Sequence, residues 1–223
     1  MSGAILVFAK SPEPGRVKTR MTPPLSAALA AELYARMLDD ILEHTGRLAA
    51  ELGLQPFLVV DPPSARAAMA ARAPETFRVM AQEGSDLAAR MERAVGQVAA
   101  AGHTPILVRS SDSPSLGLRH LQSALRALAI HDLVLCPDRR GGYVLVGLRR
   151  PAAGLFDHPM STGNVLADTL ANGKALGLST ETLTPCFDLN CVSDFRWLME
   201  ARAKGESLAC PRTLAFLDER QLW

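Results

Sequence analysis

Ala4-Ile5-Leu6-Val7-Phe8-Ala9 is a continuous apolar run that stops at Lys10-Ser11-Pro12-Glu13-Pro14-Gly15-Arg16. A run that does not alternate with polar residues reads as a strand buried on both faces, the type found in parallel sheets. The Pro/Gly-rich segment behind it, residues 10–24, reads as a loop. Ser26 then offers a helix cap, and Leu29, Leu33, Met37 and Ile41 recur every four residues on one helix face.

The same alternation repeats along the chain. Strands are expected at residues 57–60, 77–81, 105–109, 133–136 and 143–148, with a weaker one near 178–183. Helices are expected at 65–72, from 84 to about 101, at 116–129, from Ser161-Thr162 through 171, and at 192–203. Strand–helix alternation of this kind means βαβ units, so the fold class is α/β, a mainly parallel sheet with helices on both faces. One domain over residues 1–223 is expected, with 204–223 as a C-terminal extension.

Composition narrows the function classes. The 223 residues carry 24 Lys+Arg and 23 Asp+Glu, a formal net charge of +1. That balance leaves no global basic footprint for nucleic acid. No apolar run approaches the ~18 residues of a membrane span, and the start is not patterned as a secretory signal. A cytoplasmic location is expected. Cys136, Cys186, Cys191 and Cys210 match neither a metal finger nor a C-x-x-C pair, so they read as small buried thiols in a reducing compartment. Only Cys186 and Cys191 are close enough in sequence to pair locally. The five histidines have no partner nearby in sequence. H-E-x-x-H and G-x-S-x-G are both absent.

In parallel sheets, ligands bind outside the carboxyl ends of the strands. That rule singles out the loop after the first strand, where Lys10, Arg16, Lys18 and Arg20 place four cations within eleven residues. Several cations and backbone N–H groups together suit the spread charge of a polyphosphate. The loop is neither G-x-x-x-x-G-K-[ST] nor G-x-G-x-x-G, which excludes a P-loop and a dinucleotide fingerprint.

After the fourth strand, Asp112 is a candidate ligand for Mg²⁺, which takes few protein carboxylates, or else a turn residue before Pro114. Gln82 is placed to meet a nucleobase edge or to lie on the surface. Asp86 is a helix-cap candidate. Gly141 and Gly142 allow close backbone approach to a ligand or make a turn. Asp188 and Asn190 offer hard oxygens for a second metal contact.

Taken in series, these segments resemble an uncharacterised bacterial branch of the GT-A nucleotide-diphospho-sugar transferase superfamily. The branch is similar to 2-phospholactate and molybdenum-cofactor guanylyltransferases. The residues that carry the resemblance are Phe8-Ala9-Lys10-x-Pro12-x-Pro14-Gly15-x-Val17-Lys18-Thr19-Arg20, Gly84-x-Asp86-Leu87-x-x-Arg90-Met91, Ser111-Asp112-x-Pro114-x-Leu116, Gly141-Gly142-Tyr143-x-Leu145, Ser161-Thr162-x-x-Val165 and Asp188-x-Asn190.

The resemblance implies a Rossmann-like GT-A domain that takes an NTP or NDP-sugar with Mg²⁺ or Mn²⁺ and a small-molecule acceptor. It implies that Lys10, Gly15, Arg16, Lys18, Arg20, Gln82, Gly84, Asp86 and Arg90 face nucleotide and phosphates. Lys18, Arg20 and Asp112 would be catalytic, and Asp112, Asp188 and Asn190 would hold the metal. Arg140, Gly141, Gly142, Tyr143, Ser161 and Thr162 would face the acceptor. Three activities are compatible: transfer of an NMP to a phosphorylated acceptor, glycosyl transfer, and nucleotide binding without turnover. A homodimer is compatible with all three.

The chain departs from the branch at Ser110 (usually Gly), Ser115 (usually Asp), Arg140 (usually Asp) and Met160 (usually Trp). The third is a charge reversal next to the expected site. Asp138 is one compensation for it, a clamp on an acidic substrate is a second reading, and loss of catalysis is a third.

Overall fold

The computed structural model describes residues 2–206 and 208–223. Seven strands form one sheet: β1 (Ala4–Lys10), β2 (Gln55–Asp61), β3 (Arg78–Ala81), β4 (Ile106–Ser110), β5 (Leu133–Pro137), β6 (Tyr143–Leu148) and β7 (Thr180–Thr182). Their spatial order is β3-β2-β1-β4-β6-β5-β7. All neighbours pair in parallel except β6, which runs antiparallel to both β4 and β5. This is the single, mainly parallel α/β domain that the apolar runs predict.

The burial of β1 shows why its apolar run does not alternate. Ala4 and Leu6 pack with Met91, Ala94, Val95 and Val98 of α3 (Leu87–Ala100). Ile5 and Val7 point to the other face, toward α1 (Ala27–Leu52). All four are fully buried. With both faces covered, neither set of side chains can be polar.

Ser26 caps α1 by accepting a hydrogen bond from the Leu29 N–H at 3.1 Å. Gly53 ends the helix at φ 67°, a left-handed conformation open to glycine at little cost. Leu33, Met37 and Ile41 are buried as the four-residue spacing predicts, and Leu29 is partly buried.

Several boundaries differ from the expected ones. The helix after β3 begins at Leu87, because Asp86 is its cap and accepts the Ala89 N–H at 2.9 Å. The next helix, α4 (Leu118–Leu128), begins at Leu118. The one expected from Ser161 begins at Val165, forming α5 (Val165–Ala175). Ser161 sits at φ 64° and Thr162 Oγ1 accepts the Asn164 N–H, so this stretch is a loop.

Residues 192–203 divide into a 3-10 turn (Val192–Asp194) and α6 (Phe195–Ala203). A short helix, α2 (Arg66–Arg72), precedes β3. Beyond these, Pro211–Glu219 forms α7, for which no helix was expected from the sequence. It packs with α1, α6 and the 187–189 segment through Leu33, Met37, Trp197, Leu198, Phe216 and Leu217. No helix among the described residues is long and apolar enough to cross a membrane.

The chain leaves β1 toward β2 on one side, while β4 adds on the other. The reversal at β1/β4 opens a crevice at the carboxyl ends of these strands, the place where open α/β sheets take ligands.

Candidate active site

A hollow of about 650 Å³ lies in that crevice. It falls within the size range of small-molecule sites. One wall comes from the loop after β1. There Ser11 N–H bonds to Asp61 O at 2.8 Å, and Gly15 turns the chain at φ 77°. Lys10, Arg16, Lys18 and Arg20 all line the hollow.

Their states differ. Arg16 and Arg20 are exposed, and Arg16 has only an exposed contact to Glu13 at 3.3 Å, worth little. Lys18 takes the left-handed conformation at φ 49°, and its side chain is only 4% exposed. Its ammonium lies 2.7 Å from Asp112 Oδ1 and donates to Leu189 O at 2.6 Å. It also lies 5.6 Å from the Tyr34 ring centroid. Lys18 is thus an internal cation held between two loops.

Asp112, just past β4, is tied to the same partner segment, because its carbonyl accepts the Leu189 N–H at 2.9 Å. Ser113 Oγ donates to Phe187 O at 2.8 Å. Ser115 Oγ donates to Phe187 O and accepts from Phe187 N–H. Ser115 therefore stitches the Asp112 loop to the Asp188 loop. Ser110 Oγ is buried at the end of β4 with no partner, on the lining of the hollow.

Asp188 and Asn190 also line the hollow. Asp188 Oδ2 accepts from Asn190 Nδ2 at 2.6 Å, while its Oδ1 is buried without a partner. Burial, and then the charges of Asp138 and Asp112, push the Asp188 carboxyl up to about 6. Three carboxylates thus lie close together in the hollow, where a cation or protonation of Asp188 relieves their repulsion, and Lys18 already offsets part of it. Among the described residues, no three His, Cys, Asp or Glu side chains form a metal-binding cluster. Asp112 and Asp188 are the carboxylates placed to face an ion, with the Asn190 amide oxygen beside them, a small oxygen set that fits hydrated Mg²⁺ and not a closed protein cage.

The charge reversal at Arg140 is resolved locally. Its guanidinium turns to the fully buried Asp194 carboxylate, donates to Cys191 Sγ at 2.9 Å and lies 5.6 Å from the Trp197 ring. Asp194 Oδ2 in turn accepts the Asn190 and Cys191 N–H groups, both at 2.8 Å. Arg140 lines the hollow but is anchored to the turn that presents Asn190. Asp138 Oδ1 accepts the N–H groups of Arg140 (2.6 Å) and Gly142 (2.8 Å). Gly142 is needed here, since a Cβ would come 2.6 Å from Asp138 Oδ2.

Gly142, Tyr143, Ser161 and Thr162 also line the hollow, as does Met160. Gly141 lies behind the lining. It sits at φ 88°, a Cβ there would lie 2.0 Å from Gly163 O, and its own carbonyl accepts the Leu166 N–H. It seats the 160–164 loop.

Gly15, Gly84, Asp86 and Arg90 are likewise not part of the lining. Gly84 passes so close to α3 that a Cβ would meet Arg90 N at 2.8 Å. Arg90 is bound to Asp61 at 3.0 Å and to Gly84 O at 3.3 Å. Arg90 thus ties the loop that carries Gly84 to Asp61 at the end of β2. Gln82 does line it, but its amide N–H groups are taken up by Ala9 O (3.3 Å) and Val59 O (3.0 Å). Its carbonyl oxygen is what remains for a ligand.

Two contributors were not singled out in the sequence. Tyr34 of α1 accepts the Lys10 N–H at 3.1 Å and meets Ser111 Oγ at 2.9 Å, tying the first loop to the Asp112 loop. Arg109 is 1% exposed and donates to Thr45 Oγ1, Ser113 O and Ser110 O. Burial lowers it to about 10. The only signal was a charge inside an otherwise apolar strand.

Arg109 also bears on His44. Burial first, then Arg109 and Arg47, lower the His44 ring from 6.5 to about 4. The folded state prefers the neutral ring, so this stability is present above pH 6.5 and is lost as pH falls toward 4. The expected loss is roughly 3 kcal/mol at most. Thermal unfolding of wild type and His44→Leu across this window checks it, and the variant should show the shallower fall.

The chain shares its fold with solved proteins. A protein from Desulfovibrio desulfuricans G20 described as a "putative nucleotide-diphospho-sugar transferase" is 28% identical at a TM-score of 0.86, over 99% of this chain and 96% of that one. A cytidylyltransferase from Leptospira borgpetersenii serovar Hardjo-bovis aligns at a TM-score of 0.58 and 10% identity, over 100% and 96% of the chains. The 4-diphosphocytidyl-2C-methyl-D-erythritol synthase of Anaerococcus prevotii DSM 20548 aligns at 0.55 and 6%, over 87% and 96%. The last two likenesses are of fold alone. No curated protein matches. The family profile described as "Uncharacterized protein conserved in bacteria (DUF2064)" matches residues 43–162, more than half of the chain, and the protein belongs to that family.

Proposed function

We propose that the protein is a metal-dependent nucleotidyltransferase that moves an NMP from an NTP to a small phosphorylated acceptor. One observation carries the reading. The hollow is lined by Lys10, Arg16 and Arg20 from the loop after β1 and by Asp112 and Asp188, with Lys18 bridging the two groups and Asp188 Oδ1 buried and unpaired. A triphosphate with its divalent ion matches this division of charge, since phosphate oxygens pair with the cations and the ion with the carboxylates.

In this reading an acceptor phosphate oxygen attacks the α-phosphorus. A new P–O bond forms, the bond to the β-phosphate bridge breaks, and pyrophosphate leaves. A phosphate nucleophile has no proton to lose, so no general base is required. Arg16, Lys18 and Arg20 balance the leaving group's charge. Asp112, Asp188 and Asn190 would hold Mg²⁺, whose chemistry here is charge neutralisation on phosphate oxygens. Lys18 already neutralises Asp112, so ligand entry means exchanging one cation for another there.

Glycosyl transfer from an NDP-sugar is the second reading, favoured by the description of the Desulfovibrio protein at 28% identity. Both readings are tested together. NTPs and NDP-sugars are screened with and without Mg²⁺ by thermal shift, where a ligand at 100 times its Kd stabilises by about 2.7 kcal/mol. Products are then analysed in the presence of candidate acceptors. Pyrophosphate supports the first reading and free NDP the second. No metal-dependent stabilisation by any nucleotide overturns both.

A further inference from the structure

Cys136 ends β5 and Cys186 lies in the segment after β7, and neither has a role in the hollow. Their Sγ atoms are 3.6 Å apart. The two segments are bonded side by side, with Leu183 N–H to Leu135 O and Cys186 N–H to Pro137 O. Adjacent bonded segments of this kind run about 5 Å apart, within the Cα separation that a disulfide spans.

The two sulfurs face each other among backbone carbonyls. Cys136 Sγ lies 3.2 Å from Thr184 O and Cys186 Sγ lies 3.8 Å from Ser115 O, so both side chains are seated where their sulfurs are neighbours.

Cys210 offers a contrast. It is buried beside Asp40 and pushed up to about 12. The sequence had suggested Cys186 with Cys191 as the only local pair, but the fold gives Cys186 a different neighbour and puts Cys191 against Arg140.

We propose that Cys136 and Cys186 form a reversible oxidation site that closes as a disulfide between them. One of the two sulfurs, as thiolate, attacks a peroxide oxygen, the O–O bond breaks, and that sulfur is oxidised to sulfenic acid as hydroxide leaves. The other sulfur then attacks the sulfenic sulfur. The S–S bond forms, the S–O bond breaks, and the thiol proton departs with the hydroxyl as water. A dithiol reductant reverses the change.

Access is through the covering segment, where Thr184 and Pro185 are exposed and lie outside any helix or strand. Such segments open locally at low cost. Closure draws the sulfurs from 3.6 Å to about 2.05 Å. Each cysteine precedes by two residues an aspartate of the hollow, Asp138 or Asp188, so the bond would tie these two walls together.

The test treats the full chain with hydrogen peroxide, alkylates it, and maps peptides by mass. The expected result is a Cys136–Cys186 cross-link that dithiothreitol removes, with Cys191 and Cys210 alkylated. Cys136→Ser and Cys186→Ser should each abolish it, and Cys191→Ser should leave it intact. Four alkylated cysteines after peroxide, a cross-link through Cys191, or sulfinic acid at Cys186 with Cys136 free would each overturn the assignment. The mapping on wild type needs no variant to fold and no nucleotide to bind, so its outcome is independent of the transferase reading.

Discussion

Asp112→Ala is expected to reduce pyrophosphate release by roughly 10²- to 10³-fold, the scale set by removing one preorganised electrostatic group from an active site. Asp112 is the carboxylate nearest the cationic loop, bonded to Lys18 at 2.7 Å and linked through its carbonyl to Leu189. Its loss removes the proposed metal oxygen and leaves the Lys18 ammonium with Leu189 O as its remaining polar contact. Asp112→Asn separates these effects. It keeps the side-chain shape and an acceptor oxygen, so folding should change less while metal-dependent turnover still falls. Thermal midpoints measured beside the rates distinguish the two. Unchanged release in the alanine variant would sink the metal assignment.

Asp40→Ala is expected to destabilise the fold by about 2–4 kcal/mol, which is the cost of leaving buried donors without their charged partner. Asp40 is buried in α1 and receives four hydrogen bonds from the start of α7. They come from Arg212 N–H (3.1 Å), Arg212 Nη1 (3.2 Å), Thr213 N–H (2.8 Å) and Thr213 Oγ1 (2.8 Å). Cys210, the cap residue of α7, makes no side-chain cap bond, so Asp40 serves instead from a different helix. For a chain of this size the midpoint should fall by roughly 5–15 °C. Thermal unfolding measures it, and a shift below 2 °C would show that α7 contributes little to the fold.

The α/β class and the position of the hollow at the strand ends were both legible in the chain. The β1 run and the cationic loop behind it carry that information locally, through hydropathy and through residues that shape loops. The antiparallel direction of β6 was not legible. A short apolar strand reads the same in either direction, and only the short connection after Pro137 forces the reversal. α7 went unseen because its anchor, Asp40, lies over 170 residues away in the chain.

Among the site residues, chemical type was readable and partnership was not. Lys18 and Arg20 look equivalent in the sequence. The left-handed turn at Lys18 sends one inward to Asp112, while Arg20 is exposed. Arg140 looked like a charge reversal in the site, but a buried Asp194 had to be brought beside it before its anchoring role could be seen.

By itself, then, the order of residues determined the layered architecture, the caps at Ser26 and Asp86, and the edge of the sheet at which the hollow opens. These follow from periodicity and short-range hydrogen bonding. Folding alone decided which charges meet: Lys18 with Asp112, Arg140 with Asp194, and Cys136 with Cys186. Coulombic and hydrogen-bond partnerships act over a few ångströms in space, and sequence separation does not report that distance.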